Sequence, residues 1–118
     1  MTYTELEKLL LEKPGAWLDY PFGEGAAVFK VGPKMFALVS WNEDPLSINL
    51  KCDPDDALVL REMFTAVKPG YHMNKRHWNT VTLDGTVPEP MFLDMCESSY
   101  KLVFKSLKKA EKGAILNG

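Results

Sequence analysis

The sequence predicts an α+β fold, a two-layer sandwich in which an antiparallel five-stranded sheet carries three helices in the order α-β-β-β-α-β-β-α. Three observations lead there. A glycine–proline turn joins two apolar runs, a third run alternates strictly, and helical segments are bounded by explicit start and stop residues. Strands joined mainly by hairpins pair antiparallel, so the helices gather on the sheet instead of alternating through it.

The first helix begins at a capping-box pattern, Thr2 with Glu5, and repeats Tyr3, Leu6, Leu9 and Leu10 at helical spacing until Pro14-Gly15 ends it. Trp17 to Gly25 reads as irregular. Ala26–Val31 and Lys34–Trp41 form a hairpin around Gly32-Pro33, where glycine takes the positive φ and proline the negative one of a type II′ turn. The run Met35 to Val39 is apolar at every position, which predicts a central strand covered on both faces for part of its length. Ser47–Cys52 alternates, with Ile48, Leu50 and Cys52 inward.

Asp53-Pro54-Asp55-Asp56 opens the second helix. Asp53 caps, proline occupies the first helical position, and two carboxylates meet the positive end of the dipole. That helix runs to about Phe64. Pro69-Gly70 breaks the chain, and Tyr71–Met73 with Trp78–Leu83 read as a second hairpin around Asn74-Lys75-Arg76. Pro88 and Pro90 start the last helix, whose buried stripe is Phe92, Met95, Ser99, Leu102 and Val103. Residues 1–112 form one domain in this reading, and 113–118 a frayed tail.

Composition narrows the class. A chain of 118 residues with 46% hydrophobic and 25% charged residues is long enough for one core without disulfide or metal staples. No run of about 18 apolar residues exists and the start lacks a signal-peptide layout, so a cytoplasmic protein without membrane contact is expected. Cys52 and Cys96 lie far apart, which suits buried, reduced thiols. The net charge is −2, unevenly spread: residues 1–64 balance to −5 and residues 65–118 to +3.

The segment that stands out is Lys68 to Trp78. No acid occurs from Thr65 to Leu83, while Lys68, Lys75 and Arg76 bring charge and Tyr71, His72, His77 and Trp78 bring flat rings. Cations at a hairpin tip flanked by rings suit phosphate contact with stacking. The plainer alternative is a core tryptophan, hydrogen-bonded histidines and a solvated basic turn. A lysine series, Lys101, Lys105, Lys108 and Lys112, is spaced to share one helix face and is read as a solvated face.

Catalytic and metal readings find little. There is no nucleophile elbow, phosphate loop or dinucleotide fingerprint. His72 and His77 are five apart, which separates them on a strand and on a helix, and neither cysteine has a close co-ligand. No metal, cofactor or catalytic residue is expected.

Four blocks carry a family resemblance: Phe29-Lys-Val-Gly-Pro-Lys-Met-Phe-Ala-Leu, Asn49-Leu-Lys-Cys-Asp-Pro, Pro69-Gly-Tyr-His-Met-Asn-Lys-Arg-His-Trp-Asn-Thr-Val and Ser99-Tyr-Lys-Leu-Val. In order and spacing, from the first helix to about Leu107, the chain resembles the MmcQ/YjbR family of small bacterial proteins. Pro33 departs from the pattern, standing where a second glycine is expected. The resemblance implies a sandwich similar to type III secretion chaperones and bacterial frataxin, a double-wing DNA-binding motif inferred from fold, and no enzymatic activity. The nucleic-acid candidates are then Lys34, Lys51, Tyr71, His72, Asn74, Lys75, Arg76, His77 and Trp78, with wings at Gly32-Pro33-Lys34 and Asn74-Lys75-Arg76. The alternative partner is another protein, bound through a sheet face or apolar groove, and a monomer is expected in either case.

Overall fold

A computed structural model describes residues 1–117. Helix α1 (Tyr3–Leu11) leads into strands β1 (Ala16–Asp19), β2 (Ala26–Val31), β3 (Lys34–Ser40) and β4 (Ser47–Lys51). Helix α2 (Pro54–Met63), strands β5 (Val67–Pro69) and β6 (Trp78–Thr82), and helices α3 (Glu89–Lys105) and α4 (Lys109–Asn117) complete the order. The sheet is antiparallel throughout, in the order β1-β2-β3-β4-β6-β5. The α+β class and antiparallel sheet match the sequence reading, but there are six strands and four helices, not five and three.

Three local differences account for that correction. Ala16–Asp19, read as irregular, pairs with β2 from Ala16↔Val31 to Asp19↔Val28. As an edge strand it holds no fully buried residue, so the sequence offers no alternation to recognise. The partner of β6 is Val67–Pro69 and not Tyr71–Met73. Proline is tolerated at such an edge, where no ladder donor is required of it. Finally, residues 113–117, read as a frayed tail, belong to α4, whose start is capped by Glu111 Oε1 accepting from the Lys108 N–H at 2.8 Å. Ile115 packs on the core and fills the space beside Gly15. Gly118, also assigned to that tail, lies outside the described residues.

The predicted helix starts form as read. Thr2 and Glu5 complete a capping box, and Asp53 accepts from the Asp55 N–H with Pro54 in the first turn. The β2–β3 turn has two central residues, and Gly32 adopts φ +58°, the positive value a type II′ turn requires ahead of Pro33.

The register sorts the sheet into two faces. Ala27, Phe29, Ala37, Val39, Ile48, Leu50 and Val81 meet Leu6 and Leu10 of α1 and Phe92, Cys96, Tyr100 and Val103 of α3 in one core. A register shift between Phe29 and Lys30 inserts Phe36 as an extra residue in β3, so Phe36 and Ala37 are consecutive and both fully buried. This bulge explains part of the unbroken apolar run in β3. Ser99 seats α3 on the sheet: its Oγ accepts from the Lys51 N–H at 2.8 Å and donates to the Phe36 carbonyl at 2.6 Å. The opposite face carries Lys30, Leu38, Asn49, Thr80, Lys51 and Trp78. Among the described residues no helix is long and apolar enough to cross a membrane.

Candidate functional site

The β2–β3 turn, the β4–α2 junction and the β5–β6 connection share one end of the sheet, as the pairs Val31↔Lys34, Lys51↔Trp78 and Pro69↔Asn79 require. Both sequence-predicted tips therefore lie at the same end. Their side chains are placed differently from expectation.

The segment Gly70–His77 closes the β5–β6 hairpin as a long folded loop, not as a tight turn at Asn74-Lys75-Arg76. Its base is fixed by Gly70 N–H to the Trp78 carbonyl (2.8 Å) and by Cys52 N–H to the His77 carbonyl (2.8 Å). A Cβ on Gly70 would come within 2.9 Å of Trp78 Cβ, so the close approach requires glycine. The Tyr71 N–H donates to Thr80 Oγ1 at 2.9 Å, and the His77 and Trp78 N–H groups share the Asn74 carbonyl. Asn74 Oδ1 accepts from the Arg76 N–H at 3.0 Å, a local turn that Asn forms readily.

Arg61, on α2, braces the loop from below. Its Nε donates to Asn79 Oδ1 at 2.7 Å, and its Nη2 donates to the Lys75 carbonyl and, at 3.3 Å, to the Trp78 carbonyl. Sequence reading passed over Arg61 because it stands on a helix 14 residues before Lys75. Only the tertiary fold brings them together.

The loop displays an aromatic pair. Tyr71 is 70% exposed and its ring lies 4.0 Å, centroid to centroid, from that of His72, tilted by 51°. His72 holds φ +58°, uncommon for any residue but glycine, and the surrounding hydrogen bonds maintain it. Arg76 is exposed and its guanidinium meets no partner among the described residues, whereas Lys75 bends back to the Gly70 carbonyl at 3.0 Å. His77 and Trp78 are half-buried.

The other tip is fastened to the body. Lys34 donates to both the carbonyl and the Oγ of Ser106 at 3.1 Å, complementing the end of α3, and Trp17 Nε1 donates to the Gly32 carbonyl at 2.9 Å. Of the cations assigned to the two wings, Lys34 and Lys75 are thus engaged with the backbone: Lys34 at the end of α3, and Lys75 at the Gly70 carbonyl, which also accepts from the Met73 N–H. Lys51 pairs with Trp78 across the ladder, on the face away from Leu50 and Asn79. Between the tips stand Asp53, Asp55 and Asp56 at the start of α2, so the positive surface is not continuous. The lysine series is interrupted as well: Lys101 and Lys105 belong to α3, Lys108 precedes α4, and Lys112 lies within it.

Beneath the same end, α2 and α3 part to leave a cleft of about 490 Å³ over β4 and β6, with Asn79 at its floor. Cys52 borders it and is only half-buried, a correction to the expected full burial that follows from its position just past the end of β4. Burial, with Asp56 and Asp53 nearby, pushes its thiol up to about 11, and burial pushes Cys96 up to about 12. Neither is poised as a thiolate nucleophile. Among the described residues no three His, Cys, Asp or Glu side chains converge as a metal site would need.

Residues 11–102 match the model of the YjbR family. The chain belongs to the YjbR family. Its YjbR-family relatives include the Escherichia coli O157:H7 protein YbdF, described as uncharacterized, 38% identical over 95% of this chain and 92% of that one. The Escherichia coli K12 protein YjbR, also described as uncharacterized, is 33% identical over 95% of each chain. The crystal structure of Deinococcus radiodurans DR2400 superposes with a TM-score of 0.91 at 40% identity, covering 97% of this chain and 87% of that one. A Pseudomonas syringae crystal structure has a TM-score of 0.75 at 28% identity, covering 87% and 99%.

Proposed function

We propose that this YjbR-family protein is a non-enzymatic recognition domain that contacts nucleic acid through the Gly70–His77 loop. The observation that carries the reading is the braced display of Tyr71, His72 and Arg76. A loop fixed by Arg61, Thr80 and Cys52 loses little conformational entropy on binding, and it presents a stacking surface beside an unpaired guanidinium. The fastened Lys34 and Lys75 and the intervening Asp53, Asp55 and Asp56 limit phosphate contacts to about two or three, from Arg76, Lys68 and Lys51. The salt dependence should then have a slope of about −2 to −3 in log K against log salt.

Fluorescence anisotropy with short duplex and single-stranded oligonucleotides across a salt series tests this. Arg76→Glu and Tyr71→Ala should each weaken binding at least fivefold without altering the melt, and reversing Lys108 and Lys109 should have a smaller effect. A preference for the single strand that vanishes in Tyr71→Ala would assign the ring to base stacking.

A protein partner is the second reading, favoured by one specific feature. Leu58, Val59 and Met63 stand 58%, 54% and 54% exposed on one side of α2. Such an apolar helix face suits an interface. Lack of oligonucleotide binding at low salt would leave this reading in front.

A further inference from the structure

We propose that the cleft between α2 and α3 is a binding site for a mid-sized, largely apolar molecule carrying a carbonyl-type oxygen, held by the side-chain amide of Asn79. The cleft, about 490 Å³, has the size and lining of a small-molecule site: Leu50 and Val81 form the floor, Val59 and Leu60 one wall, Met95 and Leu102 the other.

Asn79 supplies the polar anchor. It is 3% exposed and lines the cleft, and its Nδ2 is buried without a hydrogen-bond partner. The amide cannot turn over to relieve this, because Oδ1 already accepts from Arg61 Nε at 2.7 Å, and a flipped amide would oppose two donors. A donor withheld from water and left unpaired carries its whole desolvation cost, which an acceptor delivered through the cleft would remove. Selection by net charge is weak, since Lys101 and Lys105 border the cleft together with Asp53, Asp56 and Asp94. The donor sets the ligand chemistry: a ketone, amide or carboxylate oxygen fits, and an ammonium does not.

Entry is compatible with the fold. Reaching the buried Nδ2 requires α2 to yield around its contacts at Ala57, Leu60 and Arg61, of which only Ala57 is fully buried.

The test follows the Asn79 side-chain NH₂ signals of ¹⁵N-labelled protein during titration with octanoate, octanamide and octylammonium, three probes with the same chain. Octanoate or octanamide should displace those signals saturably, together with the methyls of Val81 and Leu102, and whichever acts more strongly identifies the carboxylate or the neutral carbonyl as the preferred group. Octylammonium should bind at least tenfold more weakly. Val59→Trp, placed at a half-exposed wall position, should weaken the favoured probe at least tenfold while the backbone spectrum stays folded; Met91→Trp repeats the block from α3. Equal binding of all three probes, binding that survives both blocks, or an Asn79 amide unmoved by either oxygen-bearing probe would overturn the proposal.

Discussion

Arg61 and Asn79 fix each other: the guanidinium Nε donates to Oδ1 at 2.7 Å, so one contact orients both the brace under the Gly70–His77 loop and the free NH₂ group at the floor of the α2–α3 cleft. The loop and the cleft are therefore mechanically linked through a single side chain.

Removing that link should loosen the loop first. Arg61→Ala strips a charged donor from Asn79 Oδ1 and the Lys75 and Trp78 carbonyls, and is expected to cost about 2–3 kcal/mol. Hydrogen exchange of Tyr71 to Trp78 should accelerate more than that of β3. Arg61→Lys should recover only part of the loss, since an ammonium lacks the fork that reaches all three acceptors.

Ser99 is a sharper test of the core. It is fully buried and joins the Lys51 N–H to the Phe36 carbonyl, so Ser99→Ala leaves two backbone groups without their partner. A loss of about 2 kcal/mol in chemical denaturation is expected. Ser99→Val should be at least as damaging, because added bulk cannot restore either bond.

Trp78→Ala should destabilise by less than the ~3–5 kcal/mol typical of a fully buried aromatic, about 2 kcal/mol, because Trp78 is half-buried on the outer sheet face. A thermal melt reads this directly. An unchanged melt accompanied by lost oligonucleotide binding would make Trp78 a surface contact.

The thiols give an alkaline signature. Burial raises both in the folded state, Cys52 to about 11 and Cys96 to about 12, above a thiol's ordinary value of 9.0. The unfolded chain therefore releases these protons first as pH rises, and the folded state binds more protons between pH 9 and 12. Stability due to this difference is complete below pH 9 and is lost progressively towards pH 11–12. Denaturation midpoints of the wild type and of Cys96→Ala, compared from pH 8 to 10.5, should converge as pH increases. At pH 7.5 a small alkylating reagent should modify both slowly, Cys52 ahead of the more buried Cys96.

The elements legible in the sequence were those with chemically explicit ends: Thr2 with Glu5, Asp53 with Pro54, and Gly32 with Pro33 between two apolar runs. Those that escaped take their identity from tertiary contacts. Ala16–Asp19 is a strand because β2 offers an edge, and α4 persists through Gly113 because Ile115 packs against the core near Gly15. The loop residues Tyr71, His72 and Arg76 could be singled out by type alone. That Lys34 would bond the end of α3, that Arg61 would reach the loop, and that Asn79 would be left with a spare donor all depend on distances between segments remote in sequence.

The two borders of the sheet differ in how they could meet another polypeptide. β5 is three residues long, exposes Lys68 and ends in Pro69, which has no N–H to offer. β1 is four residues long and carries the Lys30–Asp19 ion pair beside it. An incoming extended chain would find too few backbone groups on either side to zip against, and a charge to desolvate at each. Growth of this sheet from molecule to molecule is thereby disfavoured, which leaves the exposed Leu58, Val59 and Met63 of α2, not a strand edge, as the surface open to contact.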